Sequence, residues 1–212
     1  MSVLLLSMNA LMQSWGLDSK FEVRNTLKHP TKSAIIGMIA GSFGWDRDHD
    51  LSSLNALRFG VSVFNEGNLH RDYHTVSIHP ERDVRQPQNP KWNSPTKQSY
   101  RWYLTDARSV IGLESHDDEL IKSIETALRS PAYASFCGRK ACPTPIGLVL
   151  GIVDMTLENA LSMTWNDMTK HHINIHRDMW KYHSIDYDKE NPLYSVIDSS
   201  HGTDTLMDSP LS

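Results

Sequence analysis

The side chains with the most chemistry in this chain are cations, and they fall into three segments. The first runs Arg24-Asn25-Thr26-Leu27-Lys28-His29-Pro30-Thr31-Lys32-Ser33. Pro30 stands just ahead of a helix start, Thr31 is a good N-cap, and Lys32 and Ser33 fall in the first turn, where backbone N–H groups lack intrahelical partners. Such a terminus attracts phosphate, and Arg24, Lys28 and Lys32 add charge around it. The second segment extends from Asn65 to about Trp102 and opens with Asp72-Tyr73-His74-Thr75. Arg82, Arg85, Lys91, Lys97, Arg101 and Arg108 lie along or just beyond it, interleaved with Trp92, Tyr100 and Trp102. Bases that neutralise phosphate, alternating with rings that can stack on nucleobases, make the composition of a single-strand binding element. The third segment is Gly138-Arg139-Lys140-Ala141-Cys142-Pro143. Gly138 permits a backbone conformation barred to other residues, which allows close approach to a ligand, and Arg139 and Lys140 supply charge. Each segment also has a plainer reading: a capped helix, a surface loop with solvated charges, and a basic turn.

Other reactive groups point nowhere in particular. Cys137 and Cys142 stand without a second cysteine pair, so neither a zinc site nor a disulfide framework is supported. His171, His172, His176 and His183 cluster in sequence, but no metalloprotease glutamate follows, and Ile173 and Ile175 alternate as in a strand. Neither a metal nor a cofactor is expected.

The elements that must position these cations follow from hydrophobic periodicity. Ser2 to Met8 reads as a first strand, residues from Pro30 to about Phe43 as a mostly buried helix, and Arg58 to Phe64 as a second strand. The polar insertion of about 65–102 follows, too long for a plain loop and best built as a projecting hairpin. A strand near Val110 to Leu113, a helix from about Asp117 to Arg129 and a strand from Leu148 to Val153 complete the pattern. The order β-α-β-β-α-β predicts an α+β fold of the ferredoxin-like or RRM type. Its sheet carries helices on one face and leaves the other free, as RRM domains do for single-stranded RNA. Residues 1–153 are read as this core and 154–212 as a small C-terminal region with an acidic tail.

The formal charge of −4 is misleading, because the last 27 residues hold six acids and one base. The remainder carries 19 acids and 20 bases, so any phosphate site must come from local clustering rather than a global field. No segment approaches the roughly 20 apolar residues that cross a bilayer. The short apolar run Val3 to Leu6 has no basic residue before it, so no membrane association is expected and the protein is read as cytoplasmic.

Several of these motifs recur together, in this order, in one known family. Leu11-Met12-Gln13-Ser14-Trp15-Gly16, the segment from Arg24 into the helix, the DYHT motif, Tyr103-Leu104-Thr105-Asp106-Ala107 and the GRKACP loop resemble the CasD family of the RAMP superfamily, over about residues 1–153. Ser7-Met8-Asn9-Ala10 departs from it, since relatives often carry a basic residue and a Gly-Pro turn there. The resemblance implies a RAMP core with the insertion as a thumb hairpin. It implies a non-catalytic subunit of a type I-E CRISPR Cascade complex that holds the 5′ handle of the guide RNA (crRNA) in antiviral defence, beside the backbone and large subunits. Contact with target DNA within the complex is compatible with it, but no residue points there. Arg24, Thr31, Lys32, Ser33, Tyr73, His74, Gly138, Arg139 and Lys140 are the positions it singles out.

Two other functions compete. A metal-independent endoribonuclease processing CRISPR precursor RNA needs a general base and a general acid, for which Tyr73, His74 and Lys91 or Lys97 are the candidates. Tyr73 and His74 are adjacent, however, and on a strand would point to opposite faces. A protein-only scaffold, its bases facing acidic neighbours, is the second rival.

Overall fold

The computed structural model describes residues 2–16, 22–76 and 97–163 in full, and the backbone of 193–197. Of the binding candidates, Arg82, Arg85 and Lys91 lie outside these residues, as do the four clustered histidines.

The fold is mixed α+β with antiparallel pairing in its main sheet. In chain order the elements are β1 (Ser2–Met8), β2 (Met12–Gln13), β3 (Val23–Arg24), α1 (Lys32–Phe43), α2 (Ser52–Asn55), β4 (Arg58–Asn65), β5 (Asn68–Val76), β6 (Lys97–Thr105), β7 (Arg108–Ser115), α3 (Asp118–Arg129), β8 (Val149–Val153), α4 (Leu157–Leu161) and β9 (Leu193–Ile197). The main sheet has the order β8-β1-β7-β4-β9, all pairs antiparallel. A second sheet is built around β6, which pairs with β5 along one edge and with β2 and β3 along the other.

α1 forms where its caps dictate. The Thr31 hydroxyl accepts from the Ala34 amide, and Gly44 closes the helix in the left-handed region at φ 76°. α3 is capped by Asp117, whose carboxylate accepts from the Glu119 and Leu120 amides. Both helices pack on one face of the main sheet against Leu4, Leu6, Met8, Phe59, Ile111 and Leu113.

The opposite face is not free. Val3, Leu5, Val110, Leu150 and Val153 form a second core with Leu157, Ala160 and Leu161 of α4, so the open RRM-type face expected from the element order is covered there. The reason lies in β1. A strand whose side chains are apolar at both parities must be buried on both faces, and Val3-Leu4-Leu5-Leu6 is such a run. Gly112 lets α4 approach closely, because a Cβ there would lie 2.4 Å from Leu157 Cδ1. The chain beyond residue 153 thus supplies α4 to one face of the sheet and β9 to its edge.

Glu114 fixes α4. It is buried, accepts from the Leu157 amide at 2.9 Å and pairs with Arg58, which also reaches Glu158 on α4. Glu114→Ala should therefore cost about 2–4 kcal/mol in urea unfolding, because a buried amide and a partly buried guanidinium lose their acceptor together. Glu114→Gln, which keeps an acceptor for the amide, should cost less.

Candidate nucleic-acid interface

The three cationic segments of the sequence meet around β6. Along one edge of that strand, β2 pairs with Leu104 and Thr105, while β3 runs parallel beside Tyr100 and Arg101. Trp102 and Tyr103 fall between the two short partners, where a backbone carbonyl would be left without a strand to satisfy it. Arg139 fills the gap. Its Nη1 donates to the Trp102 carbonyl at 3.1 Å, and its Nη2 donates to the carbonyls of Arg24 at 3.0 Å and Asn25 at 3.5 Å. The guanidinium carbon lies 4.9 Å from the centre of the Tyr103 ring, within reach of a cation–π contact. The Ser14 hydroxyl also donates to the Trp102 carbonyl.

Gly138 sets the position of that guanidinium. Its φ is +81°, and a Cβ would fall 1.7 Å from the Ser14 carbonyl oxygen. The close approach that this glycine permits is therefore to the chain's own Gln13-Ser14-Trp15 segment, with the Ser14 amide donating to the Cys137 carbonyl. The turn is closed by Cys137 N–H to Cys142 C=O at 2.7 Å and Cys142 N–H to Arg139 C=O at 2.8 Å. Lys140 stands exposed on it. Both cysteines are free and buried. Burial pushes the Cys137 thiol up to about 12, with Cys142 adding to the rise, and burial raises Cys142 against the pull of Arg139.

The ladder between β5 and β6 sorts the remaining candidates onto two faces. Its register pairs Arg71 with Trp102, Asp72 with Arg101, Tyr73 with Tyr100, His74 with Ser99 and Val76 with Lys97. Paired residues share a face and neighbours along a strand alternate. Arg101, Lys97, His70, His74 and Tyr103 consequently lie on one side, and Arg24, in register with Arg101, lies with them. Arg139 reaches the same side over Tyr103. Tyr73 and Trp102 lie on the other side. His74 is engaged through Nε2 by Asp72. Arg101 is only partly exposed, and its Nε is buried without a hydrogen-bond partner among the described residues. Such an N–H calls for an acceptor that the described chain does not provide.

The residues at the helix start also have partners within the chain. Lys32 Nζ donates to the Asn55 carbonyl at the end of α2, and Lys28 pairs with Glu66 at 2.7 Å. Thr31 is occupied as the cap, and its hydroxyl lies 3.3 Å from that of Ser33, which is exposed. Segment 24–31 is nevertheless held to the rest of the site, because the Trp15 amide donates to Thr26 Oγ1 and the Leu27 amide to the Trp15 carbonyl. Sequence reading missed Arg71, whose guanidinium lies 5.3 Å from the Tyr100 ring centre and 5.9 Å from that of Trp102. Period-2 alternation from Leu69 to Tyr73 was the available signal. Among the described residues no group of three or more His, Cys, Asp or Glu could hold a metal ion, and no helix is long and apolar enough to cross a membrane.

The sequence matches the CRISPR-associated protein (Cas_Cas5) family over residues 3–206, and the chain belongs to that family. Among its relatives, the CRISPR system Cascade subunit CasD of Escherichia coli (strain K12) is 32% identical over 164 residues, covering 71% of this chain and 70% of that protein. One similar solved structure is a chain of a CRISPR RNA-guided surveillance complex, with a TM-score of 0.59 and 30% identity; the match covers 70% of this chain and 62% of that one, a little under two thirds. Another, the crystal structure of a Cas protein, gives a TM-score of 0.55 and 30% identity over 76% of this chain and 69% of that chain. The resemblance carried by the ordered motifs is thereby borne out, and the family match extends well past residue 153.

Two outcomes follow from the glycine turn. Gly138→Ala should destabilise the protein by more than about 2 kcal/mol in thermal or urea unfolding, because both a positive φ and a backbone clash oppose any side chain there. Both thiols should resist iodoacetamide at pH 8 in the folded protein and react within minutes in denaturant, since burial keeps them protonated as well as inaccessible.

Proposed function

We propose that this chain is a non-catalytic, RNA-holding subunit of a CRISPR surveillance particle of the Cascade type, and that it grips the 5′ handle of the guide RNA. The observation that carries this reading is the shared face of Arg24, Arg101 and Lys97 beside the glycine turn, with a buried Arg101 N–H that finds no acceptor among the described residues. Arg24 and Arg101 are paired across neighbouring strands about 5 Å apart, and Lys97 lies about 13 Å further along β6 on the same face, so the three cations trace a path that phosphates of a single strand can follow. Arg139 borders the same face, chiefly as the strut that holds the Arg24 backbone in place.

The strand order β8-β1-β7-β4 with α1 and α3 on one face supports a ferredoxin-like, RAMP-type core. In the same reading the β5–β6 hairpin, joined through residues 77–96, is the thumb. Tyr73 and His74 fall on opposite faces, so they do not converge as an acid–base pair, which supports holding rather than cutting. The protein partners on this view are the backbone and large subunits of such a particle.

Purified chain mixed with 5′-handle RNA in the presence of a metal chelator should retain the RNA and leave it intact. The logarithm of affinity should fall against the logarithm of salt with a slope of about −0.7 for each phosphate contacted. Arg24→Glu combined with Arg101→Glu should weaken retention by at least about tenfold, roughly 1.4 kcal/mol, whereas Lys28→Glu should change it by less than about threefold. Metal-independent cleavage products would refute the non-catalytic assignment. Absence of retention even at low salt would refute RNA holding.

A further inference from the structure

The β5–β6 hairpin has a second face with a different chemistry. Leu69, Arg71 and Tyr73 of β5 share it with Tyr100 and Trp102 of β6, and Val23 of β3 joins them through its register with Tyr100. Val23, Leu69 and Tyr73 are 42%, 45% and 51% exposed, which is unusual for three apolar side chains gathered on one small sheet. We propose that this face docks a neighbouring protein subunit of the same particle, one that presents an apolar surface with a carboxylate at its centre. The proposal rests on the particle reading above and names the partner that the RNA-holding face does not account for.

Three observations favour protein over RNA here. The first is the state of the rings. Arg71 lies over both Tyr100 and Trp102, and Tyr73 leans on Tyr100 at 5.5 Å with a tilt of 46°. A nucleobase stacks by covering a ring face, and on this side those faces are already engaged by a guanidinium and a tilted ring. The second is charge. Among the described residues Arg71 is the one cation of this face, while Arg24, Arg101 and Lys97 are all on the other. A strand of phosphates is therefore drawn to the opposite side. The third is complementarity. Arg71 has no carboxylate partner among the described residues, and Asp72 does not share its face. Once the surrounding apolar residues are covered, a guanidinium needs an acidic group opposite it. A cluster of tyrosine, tryptophan and arginine rimmed by aliphatic residues is the usual composition of an interface centre.

The test uses the particle assembled from its own protein subunits and guide RNA. A photoreactive benzophenone amino acid is placed at position 73 in one sample and at position 97 in another. Position 73 should crosslink to a protein subunit and position 97 to RNA. In parallel, Leu69→Ser combined with Tyr73→Ser should lower recovery of the chain in the assembled particle at least about tenfold while leaving handle-RNA retention within about twofold. If that variant proves unstable by circular dichroism, Arg71→Glu at a surface position should give the same separation. RNA adducts at position 73, no adduct there in an assembled particle, or unimpaired recovery of the variants would overturn the proposal. Protein crosslinks from position 73 together with no retention of handle RNA by the wild-type chain would support this docking face and overturn the RNA-holding reading, so the two fail separately.

Discussion

Between Arg101 and Leu104 one edge of β6 is left without a paired strand, because β3 ends its pairing on one side of that gap and β2 begins on the other. A carbonyl there must be satisfied, and the chain does so with a side chain rather than a strand. The Arg139 guanidinium donates to the backbone of β6 and to that of the Arg24 segment at once, lying over Tyr103 as it does so. Much of the candidate site follows from this bridge. It fixes where Arg24 runs, which fixes the face that Arg24 shares with Arg101, and Gly138 must be glycine because the bridge requires its turn to press against Ser14. An arginine suits the place because its planar fork can address separate acceptors simultaneously, which an ammonium on a flexible stem does poorly.

The main sheet is organised by a different constraint, the double burial of β1. Leu4 and Leu6 require α1 and α3, while Val3 and Leu5 require α4. The sheet is therefore a filled middle layer over this region, and the candidate recognition surface is the smaller sheet around β6. There, among the described residues, the two faces of the β5–β6 ladder are chemically distinct, with Arg24, Lys97 and Arg101 on one and rings around Arg71 on the other. Alternation along a strand lets a nine-residue ladder carry both without mixing them.

Local structure was largely legible in the residues themselves. Thr31 and Asp117 mark their helices as caps, and the apolar runs of β1, β4, β7 and β8 mark the sheet. The free sheet face was read wrongly from the element order, although the unbroken run Val3 to Leu6 already carried the contrary signal. Lys28 and Lys32 show the limit from the other side. Their spacing near a helix start is what a phosphate site would have, yet Glu66 and the end of α2 claim them, and neither partner is near in sequence.

What the sequence determined alone is the set of periodic and capping signals, together with an ordered series of short motifs specific enough to place the chain in its family. These depend on neighbours a few residues apart, where backbone geometry fixes the relation. Only the tertiary structure decided which cations share a face, that Gly138 serves a backbone contact, and that Arg71 belongs with Tyr100 and Trp102. Each of those depends on strand register and on segments far apart in the chain, and a one-residue change in register would exchange every face.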